Sequence, residues 1–212
     1  MINSALPPGD KPVLEPGSGG GFSWEILPRM ITSEVLICTG IKVVLDGREI
    51  ILTGSSLDAI VMVDVLHHIP DPRRFFASAA RCVRSGGVIV MIEPWVSSWS
   101  RFVYQRPHHE PIRPEAAEWE FPSSGPLSGA NSALPWILFE RDRSQFECEF
   151  LIWKIQEIER FIPLRYLLSG GVSFRSLTPV WSFGFWRRIE EWLKPWTGKF
   201  ALFAKIVLQR AL

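Results

Sequence analysis

The stretch Ala59-Ile60-Val61-Met62-Val63-Asp64-Val65-Leu66-His67-His68-Ile69-Pro70-Asp71-Pro72, with its continuation to Val88-Ile89-Val90-Met91-Ile92, decides the fold. Ala59 to Val63 is apolar at consecutive rather than alternate positions, as a strand covered on both faces requires. Asp71 followed by Pro72 reads as an N-cap with proline at the first helical position. Phe75, Phe76, Ala79, Ala80 and Val83 then form an i, i+4, i+8 stripe that closes at Ser85-Gly86-Gly87. Val88 to Ile92 is a second buried strand, ending at Glu93-Pro94. Strand, helix and strand with short joints make the right-handed crossover unit. Its repetition builds a doubly wound, mostly parallel α/β sheet whose ligand crevice lies at the carboxyl ends of the strands.

The same rhythm runs upstream. Val13-Leu14 leads into Glu15-Pro16-Gly17, and Phe22 to Leu27 has helical spacing before Pro28. Ile31 to Val35 and Ile41 to Leu45 read as strands finishing near the acids Glu34 and Asp46. Glu15, Glu34, Asp46, Asp64 and Glu93 therefore all fall at or near strand ends. Downstream, Pro107, Pro111, Pro114, Pro122, Pro126 and Pro135 exclude long helices, so 95–135 reads as an inserted lid or acceptor-binding segment. Trp136 to Phe146 reads as a helix, Phe150 to Ile158 as a strand, Phe183 to Leu193 as a helix and Phe200 to Leu208 as a final strand on the same sheet.

Composition narrows the class. A chain of 212 residues is expected to form a single domain over 1–212, and 47% apolar with 21% charged residues excludes wholesale disorder. Twenty-three basic residues against 22 acidic ones give a net charge of +1, too little field for a dedicated nucleic-acid binder. Cys38, Cys82 and Cys148 are odd in number and scattered, which argues against a disulfide framework or thiolate zinc site and for a reducing cytoplasm. The opening MINSALPPGDKP lacks the basic and apolar regions of a leader, and no run approaches the roughly 18 apolar residues of a spanning helix.

The glycine run Val13-Leu14-Glu15-Pro16-Gly17-Ser18-Gly19-Gly20-Gly21-Phe22 lets a ligand approach the backbone at a strand-to-helix joint. A nicotinamide fingerprint needs glycine where Phe22 stands, which counts against an oxidoreductase. Glu34, at the next strand end, lies near the roughly 20-residue offset at which a carboxylate accepts the two hydroxyls of an adenosine ribose. Its plainer reading is a solvated loop acid.

These residues resemble the class I S-adenosylmethionine-dependent methyltransferases, in particular their small-molecule type 11 branch. The likeness rests on Glu15, Gly17, Gly19 and Gly21, on Glu34 and Asp46, and on Asp58-Ala59-Ile60 through Val65-Leu66-His67-His68-Ile69 with Arg81 to Gly87 behind it. It spans about Val13 to Glu93. It implies a Rossmann-like fold with an antiparallel C-terminal strand and S-adenosyl-L-methionine as cofactor. By the same resemblance Glu15, Gly17 and Gly19 face the methionine part, Glu34 the ribose, Asp46 the adenine amino group, and Val65 and Leu66 line the pocket near the donor methyl. Pro16 and Ser85 depart from the family pattern, and the helix that precedes the family's first strand is expected to be truncated.

Transfer to a hydroxyl or acidic carbon needs a base, and imidazole suits that work. The chain's four histidines form two pairs. His67 and His68 sit at the presumed crevice as pocket-lining or base candidates, the plainer reading being hydrogen bonding at a helix start. His108 and His109 sit in the insertion as acceptor-binding candidates, the plainer reading being a solvated loop; no metal site is expected from them and Glu110. Trp95 is a further acceptor-side candidate. Nine of the ten tryptophans, Trp95, Trp99, Trp119, Trp136, Trp153, Trp181, Trp186, Trp192 and Trp196, divide between pocket walls and ordinary core packing. Phe185, Ile189, Trp192, Leu193 and Trp196 share a helical stripe with Arg187, Arg188 and Lys194 interleaved, so 183–196 either docks on the sheet or makes a peripheral membrane contact. The expected function is methyl transfer to a small, apolar or amphiphilic molecule; the alternative is a non-catalytic module that keeps the fold for binding or assembly.

Overall fold

The apolar run at Ala59 becomes the central strand of a seven-stranded sheet in the computed structural model, which describes residues 2–20, 27–104, 111–125, 128–162, 164, 168 and 179–212. The strands are β1 (Val13–Glu15), β2 (Met30–Glu34), β3 (Val43–Val44), β4 (Leu57–Val63), β5 (Val83–Pro94), β6 (Trp153–Phe161) and β7 (Phe203–Arg210), in the order β3-β2-β1-β4-β5-β7-β6. The first five pair in parallel, with Leu14 opposite Ile60 and Ile60 opposite Ile89. Strand β7 runs antiparallel between β5 and β6, with Leu208 opposite both Ile89 and Ile155. This is the Rossmann-like, mostly parallel sheet with an antiparallel C-terminal strand that the sequence implies. Because β1 pairs with both β2 and β4, the strand order reverses there, and the ends of β1 and β4 open a crevice.

Alternating side chains of the central strands enter two cores. Leu14, Ile60, Met62, Ile89, Met91, Ile206 and Leu208 share one face with Phe75, Phe76 and Ala79 of α1 (Pro72–Cys82). On the other face lie Val13, Met30, Ala59, Val61, Val88, Val90 and Val207, with Ile2, Ala5, Leu6 and Leu27 packed against them. Helix α1 starts as expected, Asp71 Oδ1 accepting from the Arg74 N–H at 2.9 Å. Phe76 anchors it in an aromatic cluster, with ring centroids 5.0 Å from Phe75, 5.1 Å from Phe146 and 5.5 Å from Phe150. Fully burying one such ring contributes about 1.5–3 kcal/mol.

Several boundaries differ from expectation. The Ser85-Gly86-Gly87 turn lies inside β5 as a bulge, since Val83 already pairs with Leu57 and the next match is Ala59 with Val88. Gly86 has φ +74°, and a Cβ on Gly87 would meet the Asp58 carbonyl oxygen at 2.6 Å, so the glycines kink a strand rather than end a helix. The helix read over Trp136–Phe146 is broken into α3 (Leu134–Trp136), a π turn (Ile137–Arg141) and α4 (Arg143–Glu149). The break falls at Asp142, whose Oδ2 accepts from Trp119 Nε1 at 2.8 Å. The last two strands start three residues later than read. Segment 95–135 opens with α2 (Ser98–Tyr104) and later buries Trp119 beneath Arg73, whose guanidinium carbon is 4.2 Å from the ring centroid. Helix α5 (Phe183–Leu193) forms where its spacing indicates, followed by the short α6 (Thr197–Phe200). The helical reading over Phe22–Leu27 and the residue Gly21 fall on or across positions outside the described residues.

Candidate functional site

The crevice is a cavity of about 250 Å³ at the carboxyl ends of β1 to β4. Pro16 and Gly17 of the first turn, Glu34 and Val35 after β2, Leu45 to Arg48 after β3, Asp64, Val65 and His68 to Pro70 after β4, and Ser123 with Gly125 of the insertion line it.

The turn after β1 depends on its glycines. Gly17 has φ +67° and Gly19 φ +56°, a region where a Cβ is strained, and a Cβ on Gly17 would meet Val65 Cγ2 at 2.5 Å. Ser18 ties the turn to β2: its Oγ donates to the Glu15 carbonyl at 2.8 Å and accepts from the Ser33 N–H at 3.0 Å. Two backbone N–H groups fix the Glu34 carboxylate, Gly19 donating to Oε2 at 3.2 Å and Val35 to Oε1 at 2.9 Å. The β1 turn and the β2 end thus meet at one carboxylate.

Asp46 lines the cavity after β3 with its carboxylate gripped by Arg48, whose Nε lies 3.1 and 2.9 Å from the two oxygens and whose Nη2 adds a third bond at 2.5 Å. Hydrogen bonding from Arg48 holds the Asp46 carboxyl below the usual aspartate range.

The turn after β4 is held from beneath by Glu93. Glu93 Oε1 accepts from the N–H groups of Val65 at 2.9 Å and Leu66 at 2.7 Å, and Oε2 lies 2.8 Å from His67 Nδ1. Glu93 and His67 are both fully buried. With Glu93 ionised, Nδ1 carries the imidazole proton and donates it, which fixes the tautomer. The insertion is pinned to the same turn where the Asn131 N–H donates to the His67 carbonyl at 2.9 Å. Ligand atoms of Asp64, His67 and Glu93 lie within 4.8 Å of one another, the one such trio among the described residues, but the Glu93 oxygens already serve the turn and His67.

Of the residues singled out in the sequence, Gly17, Glu34, Asp46, Val65 and His68 come together on the cavity wall. Glu15, Gly19, Leu66 and His67 do not line the cavity; Gly19 holds Glu34, and Leu66 and His67 bond to Glu93 in the turn that carries Val65 and His68. Trp95 does not reach the cavity: it is buried in the core, with the Arg160 guanidinium carbon 5.6 Å from its ring centroid. His108 and His109 lie outside the described residues. Among residues without an assigned role, Glu93 is the important addition; an acid closing a fully buried strand was its signal. Ser123 and Gly125, in a proline-rich stretch without periodicity, gave none.

Residues 14–91 match the model of a family described as a methyltransferase domain. Similar solved structures include an S-adenosylmethionine-dependent methyltransferase from Mesorhizobium loti, 16% identical, covering 99% of this chain and 95% of that one with a TM-score of 0.54. Another is geranyl diphosphate C-methyltransferase from Streptomyces coelicolor A3(2), solved with Mg2+, geranyl diphosphate and S-adenosyl-L-homocysteine, at 14% identity, 99% and 78% coverage and a TM-score of 0.55. The [4+2]-cyclase SpnF is also similar, at 11% identity, 100% and 79% coverage and a TM-score of 0.53. No curated protein sequence matches the chain. At such identities the solved structures establish the fold, and the family match spans β1 to β4 and the turns after them that line the cavity, without Ser123 and Gly125 of the insertion. Residues 14–91 are therefore similar to a methyltransferase domain, and the chain as a whole shares the fold of these solved structures.

Proposed function

We propose that the protein methylates a small, apolar or amphiphilic acceptor, with S-adenosylmethionine lying along the Gly17 turn and Glu34, and with His68 facing the acceptor. The residues fit such a cofactor. A carboxylate has about four lone-pair sites, and Gly19 and Val35 use two on Glu34, leaving capacity for a vicinal diol. Gly17 provides a cradle that a Cβ would fill, and Leu45, Val65, Ile69 and Pro70 supply apolar wall. An adenine amino group near Asp46 meets an Asp46–Arg48 ion pair rather than a lone carboxylate.

The cofactor supplies a methyl group already activated on a sulfonium. The chain has to align the acceptor, exclude water and take up a proton; alignment of this kind is worth roughly 7–11 kcal/mol of barrier. His68 lines the cavity beside Val65, where an imidazole can accept a proton from a hydroxyl or acidic carbon. His67, buried against Glu93, acts as a positioning residue for the turn that carries Val65 and His68. Ser123 and Gly125 bring the insertion over the cavity as its lid.

The clamped carboxylate of Glu34 at the strand-order reversal carries this reading. Calorimetric titration with S-adenosylmethionine is expected to show saturable binding that falls at least tenfold in Glu34→Ala. A folded wild-type chain without affinity would overturn the placement. Methyl transfer to a panel of apolar and amphiphilic alcohols and carbon acids then tests the acceptor class, with His68→Ala expected to lower kcat while cofactor affinity is kept. A second reading, a module that keeps cofactor and fold without transfer, draws on the Asp46–Arg48 pair; intact affinity with no transfer across the panel favours it.

A further inference from the structure

Between β6 and β7 the chain presents an aromatic ridge to solvent. At 100° per residue, Phe185, Trp186, Ile189, Trp192, Leu193 and Trp196 share one arc of α5 and its continuation, while Arg187, Arg188, Glu190, Glu191 and Lys194 take the rest. In a helix docked on a sheet that apolar arc is the covered one, yet no residue of α5 is fully buried: Trp186, Ile189 and Leu193 are half-buried, and Phe185, Trp192 and Trp196 form the exposed ridge. Trp181, Phe185, Trp192 and Trp196 are 85%, 59%, 73% and 51% exposed. The ridge continues to Phe200, whose ring centroid is 6.3 Å from that of Trp99, and Trp99 stacks on Phe102 at 5.5 Å; all three rings are also exposed. Exposed aromatic surface of this extent marks an interaction site.

Position and charge say what covers it. Helix α2 follows the carboxyl end of β5, and α6 leads into the start of the antiparallel β7, where Phe203 pairs with Pro94. Both therefore stand at the sheet edge where the parallel strands end, the edge that holds the cavity. From 181 to 200 there are four basic side chains, Arg187, Arg188, Lys194 and Lys199, against the acids Glu190 and Glu191, so this segment is more positive than the whole chain at +1. Lys199 extends with its Nζ 5.9 Å from the Trp196 ring centroid, an aliphatic stem beside an indole with the ammonium exposed at its end. Tryptophans flanked by cations on an amphipathic helix suit the boundary between acyl chains and anionic headgroups. A symmetric contact between two copies through this face would bring two net-positive segments together. No described helix is long and apolar enough to cross a membrane, so the contact is with a surface.

We infer that this ridge seats the protein on an anionic phospholipid surface, with Phe185, Trp192 and Trp196 at the acyl boundary and the basic rim on the lipid phosphates. The inference goes beyond the methyl-transfer reading and does not depend on it. Its consequence is that the cavity edge faces the phase in which amphiphilic molecules collect.

The test uses the full chain with phosphatidylglycerol–phosphatidylcholine vesicles and with phosphatidylcholine vesicles alone, read by co-sedimentation and tryptophan emission. The anionic vesicles are expected to bind the protein with a blue shift and on the order of tenfold more tightly than the neutral ones, because the cations of the segment are attracted to anionic headgroups. Trp192→Ser with Trp196→Ser is expected to lose at least tenfold while far-UV circular dichroism stays unchanged, and Arg188→Glu with Lys194→Glu to abolish the anionic preference. No binding to either vesicle, or binding indifferent to both double variants, overturns the inference. So does lipid-free self-association that the tryptophan variant abolishes, which would make a second copy the occupant. Because cofactor binding enters none of these readings, failure here and failure of the proposed reaction are separable.

Discussion

Gly17 answers two demands at once, a backbone at φ +67° and the absence of any atom where Val65 Cγ2 approaches to 2.5 Å of a built Cβ. Gly17→Ala meets a conformational cost of about 1–2 kcal/mol and an overpacking cost of about 1–3 kcal/mol. Denaturant titration is expected to show a loss of about 2 kcal/mol or more, along with weakened cofactor binding; an unchanged midpoint would mean that the turn relaxes freely. Glu93 makes a parallel case. Glu93→Gln puts an amide nitrogen among donors, leaving a buried N–H of Val65 or Leu66 or the His67 ring without its acceptor, at about 1–3 kcal/mol. The expected readout is a lower Tm together with a fall in kcat larger than the rise in KM, as the turn bearing Val65 and His68 loosens. Glu34, at the end of β2, and His68, in the turn after β4, were placed near the crevice by the patterning of those strands, and both line the cavity. The role of Glu93 was not legible, since its three partners come from residues 26 to 28 positions upstream and only the β4–β5 register brings them beneath it. Trp95 shows the opposite failure: an indole just past a strand end reads equally as pocket wall or core, and its burial decides for core.

At the scale of elements, local chemistry decided most where the chain has little choice. The Asp71–Pro72 start of α1 is such a case, and Asp71→Ala is expected to cost about 1 kcal/mol by freeing the Arg74 N–H, measured as a shift of the denaturation midpoint with unchanged slope. The consecutive apolar strands β4 and β5 were equally clear. Elements fixed by distant partners were read less well. The break at Asp142 depends on an indole 23 residues earlier in sequence, and the β5 bulge depends on the backbone of Asp58 lying where a Cβ on Gly87 would stand. Helix α5 shows the limit most clearly: its spacing identifies the apolar arc but carries no information about whether protein covers it.

For the whole molecule, the doubly wound topology gathers the ends of β1 to β4 at one crevice, and one buried carboxylate secures the opposite end of the sheet. Asp58 on β4 receives Arg29 Nη1 at 2.5 Å and Arg84 Nε at 2.5 Å, and its side chain is 1% exposed. Arg29 also donates to the carbonyls of Gly9 and Lys11, and Arg84 to that of Pro8, so the segment before β1 is tied to the sheet through this acid. Burial pushes the Asp58 carboxyl up, but hydrogen bonds and charge from Arg84 and then Arg29 outweigh it and hold the carboxyl below its ordinary 3.8. The folded state thus binds fewer protons at Asp58 than the unfolded chain does. This contribution is complete above the ordinary value and is lost as pH falls toward and through the lowered one. Asp58→Asn is expected to cost about 3 kcal/mol at neutral pH, near the low end for breaking a buried pair because the two guanidinium side chains stay 23% and 28% exposed. The same substitution should flatten the acid limb of stability against pH, measured by urea unfolding from neutrality down to below the ordinary aspartate range. If wild type and variant lose stability in parallel across that range, the acid sensitivity resides in other carboxylates, such as Asp142 with Arg141 or Glu149 with Arg73, and the anchoring role assigned to Asp58 fails.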